Sequence, residues 1–178
     1  MEQLVARRAH NPKVVGSSPA PATWKVRSLK SKDLRLFLYK NHILDQREFS
    51  NYVILKMLEY FPQFTEHCIA QPGDVVDIEY KSSAGLLTLW LTTRDKEITI
   101  GFSGNNNLGD FHTHMSLYGA NTPDEELAEA FKLIEAIISD ELTIVYSTVL
   151  GYTLRDIDEI REYQQPNELI GETKWSKL

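Results

Sequence analysis

Internal disulfides are excluded, because the 178 residues of this chain include a single cysteine, Cys68. A lone thiol favours a reducing compartment. Its neighbour His67 does not make it a catalytic pair, and a half-buried thiol following a helix is expected instead. No apolar run approaches the roughly 20 residues that span a bilayer, so a cytoplasmic protein with no membrane partner is expected. The sequence has no P-loop, no G-x-G-x-x-G, no G-x-S-x-G and no HExxH. Those absences remove the phosphate cradle, the dinucleotide fold, the serine nucleophile elbow and the helical zinc-protease site. No cofactor is expected. The chain also falls short of the roughly 250 residues of a barrel hydrolase, and it carries no internal repeat.

What is present is enough for one domain. Apolar residues make up 42% and aromatics 10%, which suits a globular core. The net charge of −6 is unevenly spread: Arg7, Arg8, Lys13, Lys25, Arg27 and Lys30 against Glu2 give residues 1–30 a charge of +5, leaving −11 on the remainder. Such a body repels phosphate backbones, so no nucleic acid is expected as a partner. It suits a basic partner, although solubility alone also accounts for an acidic surface.

The first 23 residues, MEQLVARRAHNPKVVGSSPAPAT, have no apolar period and no secretory h-region after Arg7 and Arg8. They resemble a translated transfer-RNA gene. Gly16-Ser17-Ser18-Pro19 can be encoded by GGT TCA AGT CC, similar to a T-arm. Ala9-His10-Asn11-Pro12-Lys13-Val14 fits the anticodon loop and variable region of a bacterial initiator tRNA, with the CAT of His10 as the anticodon. That resemblance implies a spurious, disordered segment at 1–23; an uncertain extension over 24–49 and a single α+β domain over 50–178 are expected after it.

Within that domain, Val53, Ile54, Met57, Leu58 and Phe61 form one stripe, predicting a helix over 51–61 with Ser50 as N-cap, Phe49 stapling onto Ile54, and Pro62 beyond. Strands are expected at 75–81, 86–92 and 97–102, with Val76, Ile78, Tyr80, Leu87, Leu89, Leu91, Ile98, Ile100 and Phe102 facing inward. Asp77, Glu79, Thr88, Trp90, Thr92, Glu97 and Thr99 would face outward. Thr122-Pro123-Asp124-Glu125 reads as a capping box opening a helix. Its apolar stripe is Leu127, Ala130, Phe131, Ile134, Ile137 and Ile138. A strand over 142–149, a short helix over 156–163 with Ile157, Ile160 and Tyr163 inward, and a strand over 169–175 complete the pattern. The expected fold is α+β, an antiparallel sheet of about five to six strands with two main helices packed on one face.

The chemistry concentrates in Gly109-Asp110-Phe111-His112-Thr113-His114-Met115. Asp110, His112 and His114 alternate, so on a strand they project together and offer a zinc- or iron-type ligand set. Against that, the Glu of a cupin-like H-x-H is missing, because Met115-Ser116-Leu117-Tyr118 follow. The competing expectation places Phe111, Thr113 and Met115 in the core. Trp90, Thr88, Thr99, His112 and His114 then share an outer face suited to protein contact. Asp156, Asp158, Glu159 and Glu162 add an acidic stretch able to meet a basic partner.

The strand Ile98-Thr99-Ile100-Gly101-Phe102, the run Asp110 to Met115, the capped helix from Thr122 to Asp140 and the strand Leu142 to Val149 together resemble small bacterial immunity proteins of polymorphic-toxin systems. The resemblance covers roughly residues 50–175. It implies a cytoplasmic protein that binds and blocks a toxin and is not catalytic. The candidate binding residues are then Trp90, Asp110, His112, His114, Asp156, Asp158 and Glu159, and the partner a basic toxin. The alternatives are a small metal-dependent hydrolase built on Asp110, His112 and His114, and a structural or regulatory module. The sequence leaves the oligomeric state open.

Overall fold

The computed structural model describes residues 44–104 and 111–178. These belong to one compact unit, Tyr39–Leu178. The expectations for residues 1–43, and for Asp110, lie outside the described residues.

The first helix, α1 (Gln46–Tyr60), starts five residues before the expected position. Asp45 is its cap: its carboxylate accepts from Glu48 N at 2.8 Å, and the Glu48 carboxylate accepts from Asp45 N at 3.0 Å. That reciprocal pair satisfies two helix-end donors. Ser50, expected as the cap, is instead buried inside the helix, with its hydroxyl 2.8 Å from that of Thr93. Gln46 fixes the same neighbourhood, donating to Thr93 O at 2.6 Å and accepting from Lys96 N at 3.0 Å. The start of α1 therefore clamps the connection between β3 (Leu87–Thr92) and β4 (Thr99–Gly104). Periodicity missed the extra turn because Gln46 and Ser50 are held there by polar bonds.

A 3-10 turn at Pro62–His67 leads into β1 (Cys68–Gln71), a strand not expected from the sequence. Cys68 is half-buried, with its thiol directed at Phe64 O. With β2 (Val75–Lys81) and β5 (Phe111–His114), these strands form an antiparallel five-stranded meander in the order β1-β2-β3-β4-β5. The inward rows are as read from the alternation: Ile78, Leu89, Leu91, Ile98, Ile100 and Phe102 are all buried. Thr99, expected outward and wet, is also buried. Met115 belongs to a 3-10 turn (Met115–Tyr118) and not to the strand, yet its N–H still donates to Ile98 O at 2.9 Å and its side chain is fully buried. Phe111 is half-buried and tilts against Phe102, while Thr113 is buried.

Helix α2 (Pro123–Ile138) buries Leu127, Ala130, Ile134 and Ile137, with Thr122 accepting from Glu125 N. The Glu125 carboxylate reaches Asn121 N at 2.7 Å, one residue before the cap, so the expected capping box is displaced by one position. Helices α1 and α2 pack on each other, joined by Tyr60 stacked on Phe131 with ring centroids 4.5 Å apart. Phe61, Phe64, Tyr80 and Trp175 continue this aromatic seam toward the sheet. Truncating one such fully buried ring, Phe64 for example, costs about 3–5 kcal/mol.

The remaining strands do not extend the meander. β6 (Ile144–Ser147), β7 (Gly151–Thr153) and β8 (Ile170–Thr173) make a separate sheet in the order β7-β6-β8. The expected strands at 142–149 and 169–175 are each shorter, and β7 was not expected. A short helix, α3 (Ile157–Glu162), follows Asp156 as its cap; Ile160 is buried and Ile157 half-buried, but Tyr163 projects outward, against expectation. The fold is α+β, a five-stranded antiparallel sheet with a smaller three-stranded one and two main helices.

Candidate functional site

Strand pairing sets the outer face of the large sheet. Glu79, Trp90, Gly101 and His112 stand opposite one another across β2 to β5, and Asp77, Thr92, Thr99 and His114 form the next row. Cross-strand partners project to one side, so Trp90, Thr88, Thr99, His112 and His114 do share a face. The Trp90 ring lies over Gly101: a Cβ on Gly101 would sit inside 3.0 Å of the indole and of the Phe111 carbonyl oxygen. A missing side chain is thus what lets the indole settle on the sheet. His112, exposed, stands with its ring centroid 6.3 Å from that of Trp90, and His114 meets His112 edge to face at 5.6 Å.

His114 is tied down from below. Its Nδ1 is 2.9 Å from the Thr99 hydroxyl and 3.0 Å from a Glu97 carboxylate oxygen. The other Glu97 oxygen takes a hydrogen bond from the Ser116 hydroxyl. Behind this group, the buried Glu126 of α2 accepts from Ile98 N at 2.7 Å. Burial holds the Glu126 carboxyl above its usual range; the Ile98 N–H opposes that, and the nearby negative charge of Glu97 adds to it. Alternation could not find this cluster, because Glu126 arrives from a helix distant in sequence. In the same rows, Asp77 Oδ1 and Thr92 Oγ1 are buried without a hydrogen-bond partner.

Asp156, Asp158 and Glu159 lie together at the start of α3, Asp156 as its cap. Asp156 is committed to capping, accepting from Asp158 N at 2.8 Å. Asp158 pairs with Arg161 at 3.5 Å on the surface, an exposed contact of little energetic weight. Glu159 lines a cleft of about 490 Å³ with Val149, Leu150, Glu162, Tyr163 and Glu168 among its walls. Glu168 is buried at its floor, accepting from Gln165 N at 2.8 Å and from the Ser147 hydroxyl. Those donors, Gln165 N–H first, hold its carboxyl below the usual range. Ser147 Oγ in turn accepts from Val149 N and Leu150 N at 3.0 and 2.9 Å. Sequence reading missed the cleft, since nothing in the composition of residues 147–150 marks their apolar side chains as uncovered.

Among the described residues, no group of His, Cys, Asp and Glu is placed to hold a metal ion, and no helix is long and apolar enough to cross a membrane. The site therefore defines an α+β domain with an aromatic–imidazole sheet face and a separate acid-lined cleft. In comparisons with protein-family models, curated proteins and solved structures, no match to the chain was found.

Proposed function

We infer that this chain is a cytoplasmic binding protein that neutralises a cognate basic toxin, in the manner of an immunity protein, by covering the toxin's active site. The observation that supports this most is the row of Trp90, Gly101 and His112. It presents a half-buried indole fixed against the sheet beside an exposed imidazole. Rigid aromatic anchors with adjacent polar groups are what protein interfaces concentrate their binding energy in. The charge of −11 beyond residue 30 adds steering toward a basic partner.

The test is co-expression with the product of a secreted-toxin gene neighbouring its own. The chain restores growth to a host expressing that toxin, and the Trp90→Ala, His112→Ala double variant does not. Continued killing in the presence of the folded wild-type chain sinks the reading. Metal analysis separates the hydrolase alternative: stoichiometric zinc, iron or manganese that disappears in a His112→Ala, His114→Ala variant would move the assignment to a metal-dependent enzyme.

A further inference from the structure

The cleft beside the small sheet is a feature of the described residues that the Trp90 face does not account for. Its apolar walls are open to solvent: Val149 is 53%, Leu150 52% and Tyr163 79% exposed. Exposed large side chains scattered singly mean little, but these three converge on one concavity. The polar part of the lining is one-signed in balance, with Glu159, Glu162 and Glu168 against Arg155. Glu168 is held in place by Ser147 and the Gln165 N–H, so the floor is rigid and negative.

Resting on the binding-protein reading above, we propose that this cleft receives a segment of the protein partner that carries lysine or arginine between apolar residues. The apolar groups pack on Val149, Leu150 and Tyr163, and the cation meets Glu159 and Glu162. Charge complementarity selects this occupant. A nucleic acid would bring phosphates against three carboxylates. A second copy in a two-fold pair would set the same carboxylates against each other, since an isologous contact joins a patch to itself. The Trp90 face and this cleft would then be two separate contacts on one partner.

The probe is a set of short synthetic peptides, alternating Lys/Leu, Glu/Leu and Lys/Ser, titrated into the isotope-labelled full chain and followed by amide chemical shifts. The Lys/Leu peptide shifts Val149, Leu150, Glu159, Glu162 and Tyr163, and the other two do not. Tyr163→Ala and the Glu159→Gln, Glu162→Gln double variant each weaken that binding by about tenfold or more. All three side chains are exposed, so the variants keep the wild-type melting temperature. Shifts centred elsewhere, equal binding of Glu/Leu, or unchanged affinity in both variants would overturn the proposal. So would a concentration-dependent dimer that Tyr163→Ala abolishes. In the co-expression assay, Tyr163→Ala protecting as well as wild type removes the cleft from the toxin contact while neutralisation stands. If wild type itself fails there, toxin neutralisation falls, and the peptide titration still decides what the cleft binds.

Discussion

Gly101→Ala is the sharpest test of how the Trp90 face is built. Gly101 does not occupy the left-handed backbone region, so alanine suits its conformation. In the absence of a clash, replacing glycine by alanine at such a position stabilises by about 0.4–1 kcal/mol through the unfolded chain. Here the added Cβ would lie inside 3.0 Å of both the Trp90 indole and the Phe111 carbonyl. The indole can swing away, but the carbonyl belongs to β5, so the β4–β5 ladder must also give. Overpacking of this kind costs about 1–3 kcal/mol. The expected net result is a loss of roughly 1–2 kcal/mol, or about 3–7 °C in Tm for a domain of this size. Urea and thermal unfolding read the loss. A double-mutant cycle with Trp90→Ala assigns its origin: removing the indole relieves part of the cost, giving a coupling of about 1 kcal/mol, while the Phe111 share persists. A Gly101→Ala variant as stable as wild type, or a cycle that is purely additive, would refute the placement of Trp90 on Gly101.

Other expectations are equally direct. Glu126 has a raised carboxyl pKa, so its ionisation opposes folding; its contribution is most favourable below the ordinary Glu range and is lost as pH rises through the raised value. Glu126→Gln should therefore gain on wild type as pH goes from 4 to 7 in paired thermal melts, and a gap independent of pH would contradict the burial of this group. Glu168 has the opposite sign: its lowered pKa gives stability above the usual Glu range that is lost as pH falls through the lowered value. Glu168→Gln should accordingly be less stable at pH 7, with the difference closing in acid. Asp45→Ala removes a capping-box member of α1 and costs about 1 kcal/mol, seen as a lower urea midpoint at unchanged m-value. Cys68, whose thiol burial pushes up, should react with a thiol reagent slowly until denaturant is added.

Most of the large sheet was legible from alternation, which is strict in β3. Leu87, Leu89 and Leu91 face the helices and Thr88, Trp90 and Thr92 do not, and a two-residue period leaves no other arrangement. Helix α2 was legible from its cap and stripe. The clustering of Trp90 with His112 and His114 also followed from alternation, once β3, β4 and β5 were taken as a meander. What alternation could not supply was anything set by distant polar bonds. The first turn of α1 depends on Gln46 and Ser50 reaching Thr93. Glu126 joins Glu97 and His114 only because α2 brings its carboxylate to Ile98 N, just before β4. β1 and β7 are short strands without a pattern of their own, and Tyr163 has an aromatic side chain that the fold leaves in water. The separation of β6, β7 and β8 from the meander was likewise invisible, because strand identity says nothing of which edge a strand joins.

Two separately hydrogen-bonded sheets within one domain should open as two cooperative units of different stability. The meander holds a continuous ladder from β1 to β5, whereas the small sheet has a single central strand, β6, four residues long. Amide exchange should divide accordingly, with the deepest protection in β3 and β4 and a shallower class in β6 to β8. Sequence drift on the small sheet can then reshape the acid-lined cleft without disturbing the ladder that carries Trp90, so the two faces are free to change at different rates.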